Sequence, residues 1–263
     1  MDIIVYFNKD ITQIISSFLK RKDLIDFFHT SKQLWNFDYL FFQKFDICYQ
    51  VIISYLINNL QYDFKLDLKQ FANKVKRIKN VSNQLTQNFF DKFFTSVESI
   101  HFHDSYFLPI IYLPNTIKEL YCGKYFTEQL NNLPESIIVL KLGKYFDGPI
   151  NNLPKSIKHL TLGCYFNQPL DHLPNSITHL TFGNDFNQPL DHLPNSITHL
   201  TFGNEFNQSI DSLPDSIIWL KLGRYFEKRI TKLPKFLKEL HIFNRYRHKE
   251  DLVNYNIKIL IGH

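Results

Sequence analysis

The chain has 263 residues, 44% of them hydrophobic and 21% charged, so it has the means to bury a core and lacks the composition of a disordered segment. Aromatics reach 16% while Ala72 is the single alanine, which argues against a long helical bundle. The net charge of +5, with 25 acidic residues interspersed among 30 basic ones, is weaker and less concentrated than a dedicated nucleic-acid binder carries, so no nucleic-acid partner is expected.

In chain order, the start Met1-Asp2-Ile3-Ile4 has no basic leader and no cleavage site. Ile11, Ile14, Ile15, Phe18 and Leu19 then fall at helical spacing on one face, with Asn8 in position to cap the first turn. After Lys20-Arg21-Lys22, Asp23 caps a second short helix, and Trp35, Phe37, Phe41, Phe42 and Phe45 add bulk. Residues 1–46 are therefore expected to form a small helical domain. Residues 47–74 read as a connector or cap with a helix from Tyr49 to Leu60. The apolar run Val51 to Ile57, interrupted by Ser54, is too short to span a bilayer, so no membrane partner is expected. The basic cluster Lys74, Lys76, Arg77 and Lys79 reads as a solvated face.

Residues 75–246 are a repeat. Leu-Pro recurs at 113–114 and every 20 residues to 233–234, Gly at 123 to 223 in the same phase, and Phe three residues after each Gly. The unit reads Ile-x-x-Leu-x-Leu/Phe-Gly-x-x-Phe-x-x-x-Leu/Ile-x-x-Leu-Pro-x-Ser. Leu180-Thr181-Phe182 alternates in and out as a short strand does, Gly183 permits a turn, and Pro189 and Pro194 forbid a regular helix. Each unit is thus a strand, a turn and an extended return. Twenty residues bury too little to fold alone, so copies must stack into a solenoid with a parallel sheet. Val97, Ile100, Phe102, Tyr106 and Ile110 extend the phase upstream, with Val75 and Ile78 as a degenerate cap. Leu237, Leu240, Ile242 and Tyr246 extend it downstream. Residues 247–263 form a C-terminal cap, in which Tyr255 to Leu260 supplies a closing strand.

Phe126 to Phe226 are expected to form an internal stack. The positions flanking each buried strand residue should face solvent on a concave side. One column is Glu119, Val139, His159, His179, His199, Trp219 and Glu239, and the next is Tyr121, Lys141, Thr161, Thr181, Thr201, Lys221 and His241. From these, Glu119, Tyr121, Lys141, His159, His179, His199, Trp219 and Lys221 are the candidate partner-binding residues, with Trp219 either an exposed anchor or a side chain packed sideways on Val139-like neighbours. Neighbouring histidinium ions about 4.8 Å apart would repel by roughly 0.9 kcal/mol even in water, so neutral rings are expected at pH 7. Their presence in near-duplicate units reads as copying rather than a zinc site, so no metal or cofactor is expected. Cys122 falls in a core column, Cys164 follows a turn, and with Cys48 they form no disulfide framework, which points to a reducing, cytoplasmic setting. No catalytic motif is present, so no enzymatic activity is expected.

Phe166-Asn167-Gln168-Pro169-Leu170 and Phe186-Asn187-Gln188-Pro189-Leu190 resemble the FNIP repeat, a variant of the leucine-rich repeat found in amoebae and giant viruses. The resemblance covers about residues 95–246; Phe206-Asn207-Gln208-Ser209-Ile210 departs from it by lacking the proline. It implies a right-handed leucine-rich-repeat-like α/β solenoid whose concave strand face binds protein, in a host cytoplasm if the source is viral. The N-terminal segment resembles an F-box through Phe7, Asp10-Ile11, Ile14-Ile15, Phe18-Leu19, Asp23-Leu24 and Ser31-Lys32, with Asn8 where that family has proline. That resemblance implies docking of Phe7, Ile11, Ile14, Ile15, Phe18, Leu19 and Leu24 on a Skp-type adaptor. The chain would then be a monomeric substrate-recruiting subunit of a cullin–RING ubiquitin ligase, with an unidentified protein target. The alternative is a repeat scaffold whose N-terminal helices only cap the first coil.

Overall fold

The computed structural model describes residues 77–81, 97–107, 109–110, 113–170 and 172–262, all within the unit Lys69–His263. The expectations for residues 1–74, including Phe7, Ile11, Ile14, Ile15, Phe18, Leu19 and Leu24, lie outside the described residues.

Ten strands form one sheet in chain order, each parallel to the next. They are β1 (Arg77–Val81), β2 (Ser99–Phe102), β3 (Glu119–Tyr121), β4 (Val139–Lys141), β5 (His159–Thr161), β6 (His179–Thr181), β7 (His199–Thr201), β8 (Trp219–Lys221), β9 (Glu239–Phe243) and β10 (Lys258–Gly262). From β3 to β9 the sequence period is the structural period: Leu120, Leu140, Leu160, Leu180, Leu200, Leu220 and Leu240 pair in register. The ends depart from it. Ile78 pairs with Ile100, and Lys258 rather than the twentieth residue pairs with Glu239.

Each coil bends twice through tight turns. The N–H of Ile177 donates to the Pro174 carbonyl at 3.2 Å, and that of Phe166 to the Gly163 carbonyl at 3.2 Å. Between the turns the proline-bearing return is extended, as a chain without those N–H groups must be. Among the described residues there is no α-helix. The one 3-10 turn among the described residues, Lys249–Leu252, replaces the return path in the last coil. The α component of the expected α/β class falls on the segment outside the described residues.

The side chains that repeat every coil line the interior. Ile117, Leu120, Phe126, Ile137, Leu140 and Phe146 are fully buried, and the pattern continues through Leu240. The Phe column stacks from Tyr106 to Tyr246, with ring centroids 6.3 Å apart at Phe126–Phe146 and 6.2 Å at Phe206–Phe226. Two polar ladders join the coils at their bends. Ser136, Ser156, Ser176, Ser196 and Ser216 each donate to the carbonyl of the preceding coil's Ile at 2.6–2.7 Å. The Asn167 side-chain oxygen accepts the Asn187 N–H at 2.9 Å, and Asn187 does the same for Asn207. Both ladders satisfy backbone groups that an isolated coil would leave to water.

The glycine column has a different cause from the one its turn position implies. Gly183 does not adopt a left-handed backbone. A Cβ there would overlap the Gly163 carbonyl oxygen, and each of Gly143, Gly163, Gly203 and Gly223 meets the preceding coil's glycine carbonyl in the same way. Glycine is required because two main chains approach each other here, not because the chain must turn through a positive φ.

Candidate functional site: the strand face

The short strands alternate half-exposed, buried, half-exposed, so the residues flanking each buried leucine share one surface. In-register pairing puts Glu119, Val139, His159, His179, His199, Trp219 and Glu239 in one row, and Tyr121, Lys141, Thr161, Thr181, Thr201, Lys221 and His241 in the other. His159 and Lys141 are the most open, whereas His179, His199, Trp219, Lys221, Glu119 and Tyr121 are half-buried.

His159, His179 and His199 form a continuous stack, with ring centroids 4.4 Å and 4.2 Å apart. The His179 and His199 rings are nearly parallel, 6° apart, whereas His159 is tilted 32° from His179. Among the described residues no group of three or more His, Cys, Asp or Glu is placed to hold a metal ion. Burial, followed by the neighbouring His199 and His159, pushes the pKa of His179 down. Thr178 and Thr198 hydroxyls lie 2.9 Å from the Nδ1 atoms of His179 and His199, which fixes the ring orientation.

Trp219 is not the freely exposed residue that its position in the row implies. Its indole N–H donates to Oε1 of Glu239 at 3.1 Å, and its ring lies 6.3 Å from His199 and 4.8 Å from His241. The cause is Glu239 on the next coil, which also accepts from Lys258 at 2.9 Å and pairs with His241 Nε2. Lys258, then His241 and Trp219, hold the Glu239 carboxyl down at about 2. The row therefore ends in a cross-linked cluster that ties β8, β9 and β10 together.

At the other end Glu119 lies 3.7 Å from the Arg77 guanidinium, and Tyr121 stacks on His101 at 4.0 Å. Burial, with Glu119 adding and Arg77 opposing, raises the Tyr121 hydroxyl pKa. Cys122 takes an inner position, and burial pushes its thiol pKa up. Cys164 is half-buried.

One surface feature has no counterpart in the expected site. Tyr125, Tyr145 and Tyr165 stack on three successive coils with centroids 5.1 Å apart, and Lys124 and Lys144 lie over their rings at 4.9–5.9 Å. Its sequence signal is Gly-Lys-Tyr-Phe at 123–126 and 143–146, in phase with the repeat.

A parallel-sheet repeat solenoid is thus the class that fold and surface define. The family model of the FNIP Repeat matches residues 128–165, 166–205 and 186–225. Among solved structures the chain is similar to the crystal structure of CroV588, described as a novel circular LRR protein structure, at 30% identity and a TM-score of 0.48. That match covers 70% of this chain and 35% of that one, so this chain spans about a third of its length. No curated protein matches the chain.

Proposed function

We propose that the chain is a non-catalytic protein-recruiting subunit. Its strand face holds a target protein, while Phe7, Ile11, Ile14, Ile15, Phe18, Leu19 and Leu24 dock on a Skp-type adaptor of a cullin–RING ubiquitin ligase in the cytoplasm. The observation that carries the target-binding half is the unbroken in-register row from Glu119 to Glu239, which at about 4.8 Å per strand spans roughly 29 Å. His179, His199, Trp219 and Glu239 are held by hydrogen bonds to neighbours, so little ordering of these side chains is left to be done on binding, which favours affinity. Such a subunit does no chemistry; it raises the concentration of the target beside the ligase. The adaptor half rests on the F-box-like pattern of residues 7–32.

The test is co-purification of the full chain with a purified Skp-type adaptor, using Ile14→Asp and Leu24→Asp as comparisons. Binding by the wild type and loss in both variants supports the reading. A folded wild-type chain that fails to bind removes the ligase role and leaves a repeat scaffold. In that case deleting residues 1–45 should lower the melting temperature of the array by exposing its first coil.

A further inference from the structure

β10 is a terminal strand of the described sheet. Among the described residues nothing pairs with the outer side of β10. In the β9–β10 ladder the Lys258 N–H donates to Lys238 and the Gly262 carbonyl accepts from Asn244, both at 2.9 Å. Residues 258, 260 and 262 thus turn their backbone groups toward β9, and Ile259 and Ile261 turn theirs outward. Among the described residues nothing covers the core beyond β10 either. Ile261 continues the inner column of Ile242, which is 2% exposed, yet is itself 50% exposed, and Val253 in the same coil is 79% exposed.

We propose that β10 is the two-fold contact of a homodimer, pairing antiparallel with β10 of a second copy in the register centred on Leu260. Three features of Lys258-Ile259-Leu260-Ile261-Gly262 support a second copy as the occupant. First, the register places Ile259 opposite Ile261 of the second copy, and these are the residues whose N–H and C=O groups point outward, so four main-chain hydrogen bonds form. Second, Lys258 faces Gly262 rather than another lysine, so no like charges oppose each other. Third, a two-fold axis perpendicular to the sheet keeps both inner faces on one side, so Ile259 and Ile261 meet their counterparts across the seam and the two cores become continuous. Leu260 faces Leu260 of the second copy on the strand side, as the closely spaced non-hydrogen-bonded pair. This register pairs all five residues of the strand; shifting it by two in either direction leaves part of the edge bare, and a shift centred on Ile259 also brings the lysines closer.

Sedimentation velocity of the full chain, from micromolar to near-millimolar concentration, tests the proposal. The expected species has twice the chain mass of 31.4 kDa. Leu260→Lys and Leu260→Asp should each be monomeric, because the substitution faces its own copy, and mixing the two should restore a heterodimer. Ile261→Pro removes an outward N–H, which an edge strand tolerates, and should abolish the dimer while leaving circular dichroism unchanged. A wild-type chain that stays monomeric, assembles beyond a dimer, or dimerises equally well with either charge at 260 overturns the proposal. So does a mixture of the two charge variants that fails to associate.

Discussion

Ser196 gives its hydroxyl proton to the carbonyl of Ile177, 2.7 Å away and one coil back. The bond repeats at the same corner of successive coils, so the serine of the Leu-Pro-x-Ser motif is a staple between units rather than a turn former. Ser196→Ala should cost about 1 kcal/mol, the net worth of a partly buried hydrogen bond, measured by urea unfolding. An unchanged midpoint would show that water replaces the hydroxyl without loss.

Two glycines should respond differently to the same methyl group. Gly183→Ala drives a Cβ into the Gly163 carbonyl, where neither main chain has room to yield. The loss should lie at or above the upper end of the ~1–3 kcal/mol typical of overpacking. Gly148→Ala meets only the Phe146 ring, at 3.2 Å and beyond, and should cost far less. Comparable thermal shifts for the two variants would contradict the close-approach explanation.

The histidine stack makes stability fall in mild acid. His179 has its pKa lowered from 6.5 in the folded chain. Above pH 6.5 the ring is neutral in both states and contributes nothing. Below it the unfolded chain takes up the proton first, so stability declines until the pH passes the folded value. Melting curves between pH 7.5 and pH 5 should show that decline, and His179→Asn should flatten it. A slope unaffected by the substitution would place its origin elsewhere.

Glu239 works in the opposite sense at lower pH. Its carboxyl is held at about 2 against an ordinary 4.5, with Lys258 as the largest cause. Its contribution is fully present above pH 4.5 and is lost as the pH falls from there toward 2. Carboxyl-carbon NMR should show Glu239 titrating well below the ordinary 4.5, and Lys258→Met should move its titration upward. A Glu239 signal that titrates near 4.5 would deny the cluster.

Much of the solenoid is legible in the sequence because every coil repeats the same demands. The period of Leu-Pro, Gly and Phe gives the strand register directly, and alternation around Leu180 gives the inner and outer faces. The roles of Ser196 and Asn187 are not legible, although their period is, because each acts on a backbone group of another coil and the partner is apparent only once the coils are stacked. Gly183 illustrates the same limit: a glycine after a strand implies a turn, while its actual constraint comes from residue 163. Trp219 differs from its expected exposure because Glu239, twenty residues on, supplies an acceptor for the indole. The Tyr125–Tyr145–Tyr165 stack was available as a period-20 signal but carries no motif that chemistry would single out.

The central claim, that the coils are interchangeable units stacked in register, is tested most directly by deleting one of them. Residues 185–204 nearly duplicate 165–184, so their removal should bring β6 beside β8 with every column intact. Thermal unfolding followed by far-ultraviolet circular dichroism should then remain cooperative, with a slightly lower midpoint and an unchanged spectrum shape. Deleting only residues 185–194 leaves the later coils half a period out of phase and should abolish cooperative melting. If the 20-residue deletion unfolds the chain, or both deletions are tolerated alike, the stacked-coil account is wrong.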